Sequence, residues 1–176
     1  MKANAGSRNG GGRWKISLWL PLVLLALLAV AWSAEATLRI GSALPTVTLP
    51  GVDGVPVMIP ESIKGKVVIL HFWQVGCSSC KLEMPAMDVL YKQYQRKGLD
   101  VLAVNVGQKK EVVQRFAAEL RASYPLLIDP DEKGARLFGV TDVPRTYVID
   151  RGGVVRHRIV GSAAPEMLQR LILRLL

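Results

Sequence analysis

Phe72-Trp73-Gln74-Val75-Gly76-Cys77-Ser78-Ser79-Cys80-Lys81-Leu82-Glu83-Met84-Pro85 holds both cysteines of the 176-residue chain. The run leading into it, Val67-Val68-Ile69-Leu70-His71-Phe72-Trp73, has the length and the branched, aromatic content of a buried strand. Beyond it, Leu82, Ala86, Val89, Leu90 and Tyr94 recur at helical spacing and predict a helix over Ser79–Lys97, with Gly98 as its C-cap. Pro85 removes one backbone hydrogen bond inside that helix and predicts a kink. The cysteines thus fall where a strand turns into a helix, with Cys77 at the helix N-terminus. Free amides and the helix dipole stabilise a thiolate there, and can bring a cysteine pKa from ~8.5 into the range ~3.5–7.5.

Two cysteines at this spacing can form a redox pair, half of a zinc site, or two buried thiols. Structural zinc needs about four ligands at recognisable spacing, and the only histidines are His71 and His157, in no paired motif. A disulfide scaffold is disfavoured, because a bridge closing so short a loop staples little of the chain. Redox chemistry is the remaining reading, and it requires neither metal nor cofactor. Cys77 is then the nucleophile. Cys80, one turn deeper, is the shielded resolving thiol.

The formal net charge is +9, but Lys2, Arg8, Arg13 and Lys15 precede the first apolar block and all 14 acidic residues follow it. The rest of the chain, with 19 basic residues against those 14, is only modestly basic. No basic stripe with interleaved aromatics is present, which argues against nucleic-acid binding. Residues 1–15 read as a polar cytoplasmic tail, disordered at its Gly-, Ser- and Asn-rich start. Ile16 to Ala34 is a 19-residue, almost continuously apolar run, long enough to cross a hydrocarbon core of ~30 Å as a helix. Basic residues before it and Glu35 after it orient the N-terminus inward and export the remainder. Trp14, Trp19 and Trp32 stand near its ends, as interface anchors do. A cleaved signal peptide competes, with Ala31-Trp32-Ser33 or Ala34-Glu35-Ala36 as the small-residue site, but the run exceeds an ordinary h-region of ~7–15 residues.

From Leu38 onward one domain is expected, over 38–176. Short strands around Thr46–Leu49 and Val55–Ile59, joined at Asp53-Gly54, suggest a hairpin. Asp100–Val106 reads as a second buried strand, and a strand–helix–strand unit implies parallel pairing in an α/β fold. Lys109–Ala122 is an amphipathic helix with Val112, Val113, Phe116 and Leu120 inward. Pro125–Ile128 is a short strand and Glu132–Phe138 a brief helix. Thr146–Asp150 and Val154–Val160 form an antiparallel hairpin across Arg151-Gly152-Gly153, and Pro165 opens a last helix to Leu176.

This arrangement resembles the thioredoxin fold: a strand, then Trp73-x-x-x-Cys77-x-x-Cys80, a kinked helix, and Val143-Pro144 before a strand. More narrowly it resembles the TlpA/ResA-like membrane-anchored thiol-disulfide oxidoreductases of bacteria. The carrying segments are Cys77-Ser78-Ser79-Cys80-Lys81-Leu82-Glu83-Met84-Pro85, Leu102-Ala103-Val104-Asn105-Val106-Gly107, and Gly139-Val140-Thr141-Asp142-Val143-Pro144-Arg145-Thr146-Tyr147-Val148-Ile149-Asp150. The resemblance as a whole covers roughly Leu38 to Gly161. The resemblance implies a thioredoxin-like domain with an N-terminal β-hairpin and a central mixed sheet flanked by helices, preceded by one transmembrane helix. It implies a redox-active Cys77–Cys80 disulfide and Glu83 as a buried acid serving the resolving thiol. It also implies Pro144 in cis, presenting the Val143 backbone to an extended client. A solvated helix glutamate and a trans turn proline are the plain alternatives.

Four positions depart from the family pattern. Gly76 replaces a Trp before the first cysteine and leaves the surface around Cys77 more open. His71 stands where thioredoxins bury an Asp and this group often an Asn; it is a proton relay or tuner of Cys77, or a satisfied core histidine. Arg145 follows the proline where Thr is common, and either meets an acidic client or is solvated. Gln108 stands where some cytochrome-c-maturation members have Glu. Trp73, ending the strand, is a further candidate for tuning the pair. The implied partners are a client protein with a disulfide or thiols, of the apocytochrome c or copper-site assembly kind, and a membrane thiol-disulfide transporter as electron donor. The implied location is the bacterial inner membrane with the domain in the periplasm. Alternatives are a thiol oxidase or isomerase of the same fold, a peroxiredoxin-like peroxidase, whose Pro-x-x-x-Thr-x-x-Cys loop is absent here, and a non-catalytic chaperone or copper carrier.

Overall fold

All seven side chains of strand β3, Val67–Trp73, are buried, as an apolar run becomes when both faces of a sheet are covered. The computed structural model describes residues 38–176. The expected tail (1–15) and apolar anchor (16–34) lie outside those residues. Among the described residues no helix is long and apolar enough to cross a membrane.

Strands β1 (Val47–Pro50) and β2 (Pro56–Ile59) pair antiparallel as the expected hairpin. The main sheet has β3 at its centre, with β4 (Leu99–Val106), β5 (Leu126–Asp129), β6 (Arg145–Ile149) and β7 (Val155–Val160). Its order is β5-β4-β3-β6-β7. β3 pairs parallel to β4 and antiparallel to β6, β4 pairs parallel to β5, and β6 pairs antiparallel to β7. The sheet is therefore mixed. The helices are α1 (Ser78–Tyr94), α2 (Lys110–Leu120), α3 (Lys133–Leu137) and α4 (Pro165–Leu173). Gln95–Lys97 is a 3-10 turn, not the end of the helix as expected, and Gly98 closes it at φ 95°. That left-handed conformation is open to glycine at little cost. The last helix likewise stops at Leu173, short of the expected Leu176.

Alternation along β3 divides the core into two layers. Val67, Ile69 and Trp73 face Cys80, Met84, Met87 and Leu90 of α1, Val113 of α2, and Leu168 and Ile172 of α4. Val68, Leu70 and Phe72 face the hairpin residues Val47, Leu49 and Ile59 and the aromatic pair Phe138 and Tyr147. The buried side of α1 differs from the one its apolar spacing predicts: Leu82 is 80% and Val89 63% exposed. Cys80, Glu83, Met84 and Met87 take the inner face instead. That face packs Cys80, Met84, Met87, Leu90 and Tyr94 into the core layer under β3, and Glu83 on it accepts from the Ala163 amide.

Candidate functional site

The loop from β3 into α1 ends at Cys77, whose backbone is extended (φ −75°, ψ 106°) while its sulfur accepts the Cys80 amide at 3.2 Å. Cys77 is the helix N-cap, so its Sγ lies where the free amides point. Cys77 and Cys80 form a disulfide with their Cα atoms 5.3 Å apart. Their exposure is unequal: Cys77 is partly open to solvent and Cys80 is 1% exposed. An incoming sulfur can reach only the first. Gly76 adopts φ +97°, and a Cβ built there meets nothing within 4 Å. The expected openness beside Cys77 is present, and the backbone conformation itself favours glycine.

Gln108 anchors this loop from the next strand. Its Oε1 accepts from the Val75 amide at 2.7 Å and from Asn105 Nδ2 at 2.9 Å, and its Nε2 donates to the Val75 carbonyl at 3.3 Å. Gln74 Nε2 adds a bond to the Val106 carbonyl at 3.1 Å. The sequence marks Gln108 only as a family departure. Its place just beyond the end of β4, the strand beside β3, is the signal that it could reach the cysteine loop.

Glu83 lies one turn beyond Cys80 and is only 5% exposed. Its Oε1 accepts from the Ser162 hydroxyl and from the Ala163 amide, the latter at 2.8 Å. Its Oε2 is buried with no partner among the described residues. The solvated-glutamate alternative is thereby removed. His71 is fully buried on the α1 side of β3, opposite Thr146 of β6, and its Nδ1 lies 2.9 Å from Thr146 Oγ1. Its Nε2 is also buried without a partner. Burial lowers the His71 pKa from 6.5 to about 4, so the imidazole is neutral at ordinary pH. Trp73 is wholly buried, its ring centroid 4.9 Å from that of Phe116. It is packing beneath the pair, not a rim residue.

β6 begins at Arg145, opposite Phe72, so Val143 and Pro144 lie at the same end of the sheet as the cysteine loop. The Val143–Pro144 bond is cis, as is Ile59–Pro60, which the sequence reading did not anticipate. A groove of about 240 Å³ lined by Gln74, Val106, Glu132, Thr141, Asp142 and Val143 runs beside this loop. A larger concavity of about 580 Å³, lined by Gly51, Val52, Tyr91 and Tyr124 among others, includes neither cysteine. Size does not select the site here; the sulfur chemistry does. Arg145 corrects both sequence alternatives, since its side chain is 2% exposed. It alternates with Tyr147 and Ile149 onto the second core layer. Among the described residues only Nη2 approaches a carboxylate, that of exposed Asp142 at 3.6 Å, and Nε and Nη1 are buried without partners. It cannot meet an acidic client in this arrangement.

Residues 40–158 match the AhpC/TSA family. The chain is 33% identical over 154 residues to the thiol-disulfide oxidoreductase ResA of Geobacillus thermodenitrificans, covering 85% of this chain and 88% of that one. It is 30% identical over 132 residues to ResA of Bacillus anthracis, covering 75% of this chain and 76% of that one. Among solved structures, one described as a DsbE-type thiol:disulfide interchange protein from Chlorobium tepidum superposes with a TM-score of 0.73 at 34% identity, over 78% of this chain and 97% of that one. StoA from Bacillus subtilis shares the fold at a TM-score of 0.64 and 23% identity, over 74% of this chain and 99% of that one. With an asymmetric Cys77–Cys80 disulfide at a helix N-terminus, a mixed five-stranded sheet and these relatives, the chain belongs to the TlpA/ResA-like thiol-disulfide oxidoreductases of the thioredoxin superfamily.

Proposed function

We propose that this enzyme is an exported, membrane-tethered reductant that opens disulfides in extracytoplasmic client proteins of the cytochrome c or copper-site assembly type. The observation that carries the proposal is the unequal burial of the two sulfurs. With the pair reduced, the Cys77 thiolate attacks one sulfur of a client disulfide and the other client sulfur leaves as a thiolate. The Cys80 thiolate then attacks Cys77 Sγ, expelling the second client sulfur and closing the Cys77–Cys80 bond. Two electrons pass to the client. A membrane thiol-disulfide transporter restores the dithiol.

In this reading Glu83 takes the proton that Cys80 gives up before its attack, through the face it shares with Cys80 on α1. His71 contributes an uncharged, hydrogen-bonding ring beneath the pair where the fold more often buries an acid or an amide. The groove beside Val143 receives the extended client segment next to Cys77. The ResA and DsbE-type relatives support thiol-disulfide exchange as the chemistry; the reductive direction and the client class rest on the family resemblance of the sequence.

Replacing Cys80 with Ala leaves Cys77 free to attack but stalls the mixed disulfide. Non-reducing electrophoresis of membranes expressing Cys80→Ala should show client adducts that dithiothreitol releases, and Cys77→Ala should show none. The direction is read separately from the reduction potential of the Cys77–Cys80 couple. A value near ~−120 mV, that of a strong oxidant, would overturn the reductase assignment.

A further inference from the structure

We propose that the end of the domain opposite the disulfide is a basic, lipid-facing surface that rests on the anionic headgroups of the bilayer. The inference builds on the tethered reading above and is tested apart from it.

Backbone bonds locate the point where the chain enters the domain. Gly41 donates to the Val155 carbonyl at 2.8 Å, and Val155 donates to the Ser42 carbonyl at 3.0 Å. Val155 pairs with Ile149, and Ile149 with Val68 at the start of β3. The chain therefore enters beside the first residues of β3, while Cys77 follows its last. At ~3.3 Å per residue, the length of that strand alone separates entry and site by about 20 Å. The apolar run ends at Ala34, four positions before Leu38, so the tethered reading has the chain enter the domain at this end.

The same end collects cations. The Arg151 guanidinium donates to the carbonyls of Gly65, Lys97 and Leu176 at 3.0, 2.9 and 2.9 Å. It thereby gathers the β6–β7 turn, the approach to β3, the approach to β4 and the C-terminus. These segments and the entry strand expose Arg39, Lys64, Lys66, Arg96, Lys97, Arg151 and Arg174. Two of the seven have carboxylate partners: Lys64 with Glu61 at 2.5 Å and Lys66 with Asp100 at 2.7 Å. Arg39, Arg96, Lys97 and Arg174 pair with no carboxylate among the described residues, and Arg151 donates to an oxygen of Leu176, the last residue. The segments at the disulfide end are closer to balance, with exposed Lys81, Lys109, Lys110, Lys133 and Arg136 against Glu111, Asp131, Glu132 and Asp142. Exposed Ile40 and Leu173 sit beside Arg39 and Arg174. Apolar side chains beside cations suit a surface where headgroups meet acyl chains. The domain then stands with Cys77 directed away from the bilayer, toward clients in the aqueous phase.

The test compares amide hydrogen exchange of the full-length chain in nanodiscs of phosphatidylcholine and of phosphatidylcholine with about one third phosphatidylglycerol. Slower exchange at 38–43, 61–66, 95–98 and 151–154 is expected only with the anionic lipid. It should vanish in high salt, where the Debye length contracts to a few ångströms, and amides 74–81 should not change. Arg39→Glu, Arg96→Glu and Arg174→Glu should each lower binding at least about fivefold, with reduction of a soluble client unaltered. Arg151 is left intact because it holds three carbonyls. Equal protection on both lipids, or protection at 74–81 in place of the basic end, overturns the proposal. Alkaline extraction from vesicles reports on the tether separately. A chain that is extracted yet binds phosphatidylglycerol vesicles at low salt upholds the basic surface and removes the anchor. A chain that resists extraction but gains no lipid-dependent protection keeps the anchor and overturns the surface.

Discussion

His71→Asn isolates a titration that the fold creates. The imidazole is fully buried and its pKa falls from 6.5 to about 4 for want of hydration of the charged form. Between those values the unfolded chain holds one proton more than the folded one, so stability rises with pH there and is lost as pH falls. The slope approaches ~1.36 kcal/mol per pH unit, and the interval sums to about 3 kcal/mol by pH 4. Asn can keep a hydrogen bond to Thr146 and cannot titrate. Its stability at pH 7 should therefore fall by no more than ~1–2 kcal/mol, while its curve stays flatter between pH 6.5 and 4. Two carboxylates titrate below this window. Burial would raise Asp88, but Lys92 and the Ser123 amide hold it below the usual range. Burial likewise opposes Asp150, and the Val154 amide, Arg156 and the Gly152 amide outweigh it. Urea unfolding of the oxidised chain at half-unit pH steps from 7.5 to 4.5, followed by far-ultraviolet circular dichroism, gives both curves. If they run parallel, burial of a neutral His71 is not the source of acid lability. The reduced variant also tests the proposed tuning: if neither thiol pKa moves, His71 has no part in the redox mechanism.

Glu83→Gln keeps an acceptor for Ser162 and Ala163 but cannot carry the Cys80 proton; resolution of a Cys77 mixed disulfide, followed by rapid mixing across pH, should slow about a hundredfold. An unchanged rate and pH profile would remove Glu83 from proton transfer. Gln108→Ala strips partners from the Val75 amide and Asn105, and should destabilise by about 1–3 kcal/mol in urea titrations while slowing attack by Cys77. Arg145→Met replaces a poorly paired buried cation with an apolar chain of similar length. It should leave stability unchanged or raise it by ~1 kcal/mol or more, with client reduction intact; a large loss would mean the guanidinium is satisfied in a way its contacts do not reveal.

The parts of this protein legible in the chain are those that rest on short-range pattern. An apolar run the length of β3, a CxxC at a helix start, Gly98 after the last turn and Pro165 at the first each carry a local physical requirement, and the structure meets each one. Boundaries drifted by a residue or two because helix ends fray and tighten into 3-10 turns, as at Gln95–Lys97. Side-chain environment was less legible. Leu82 and Val89 fit an apolar stripe as well as Met84 and Met87 do, and which side turns inward is seen only in the packing of Cys80, Met84 and Met87 beneath β3. Arg145 reads as a surface cation until β6 is placed between β3 and β7, where strand alternation sends its side chain into the core. Gln108 gains its role because β4 lies beside β3, which brings the residues beyond the two strand ends together: Gln108 meets Val75, 33 residues away in the chain. The redox pair itself needs only neighbours three residues apart, so sequence sufficed for it. Which residues surround that pair depends on contacts between distant segments, and those exist only once the sheet has closed.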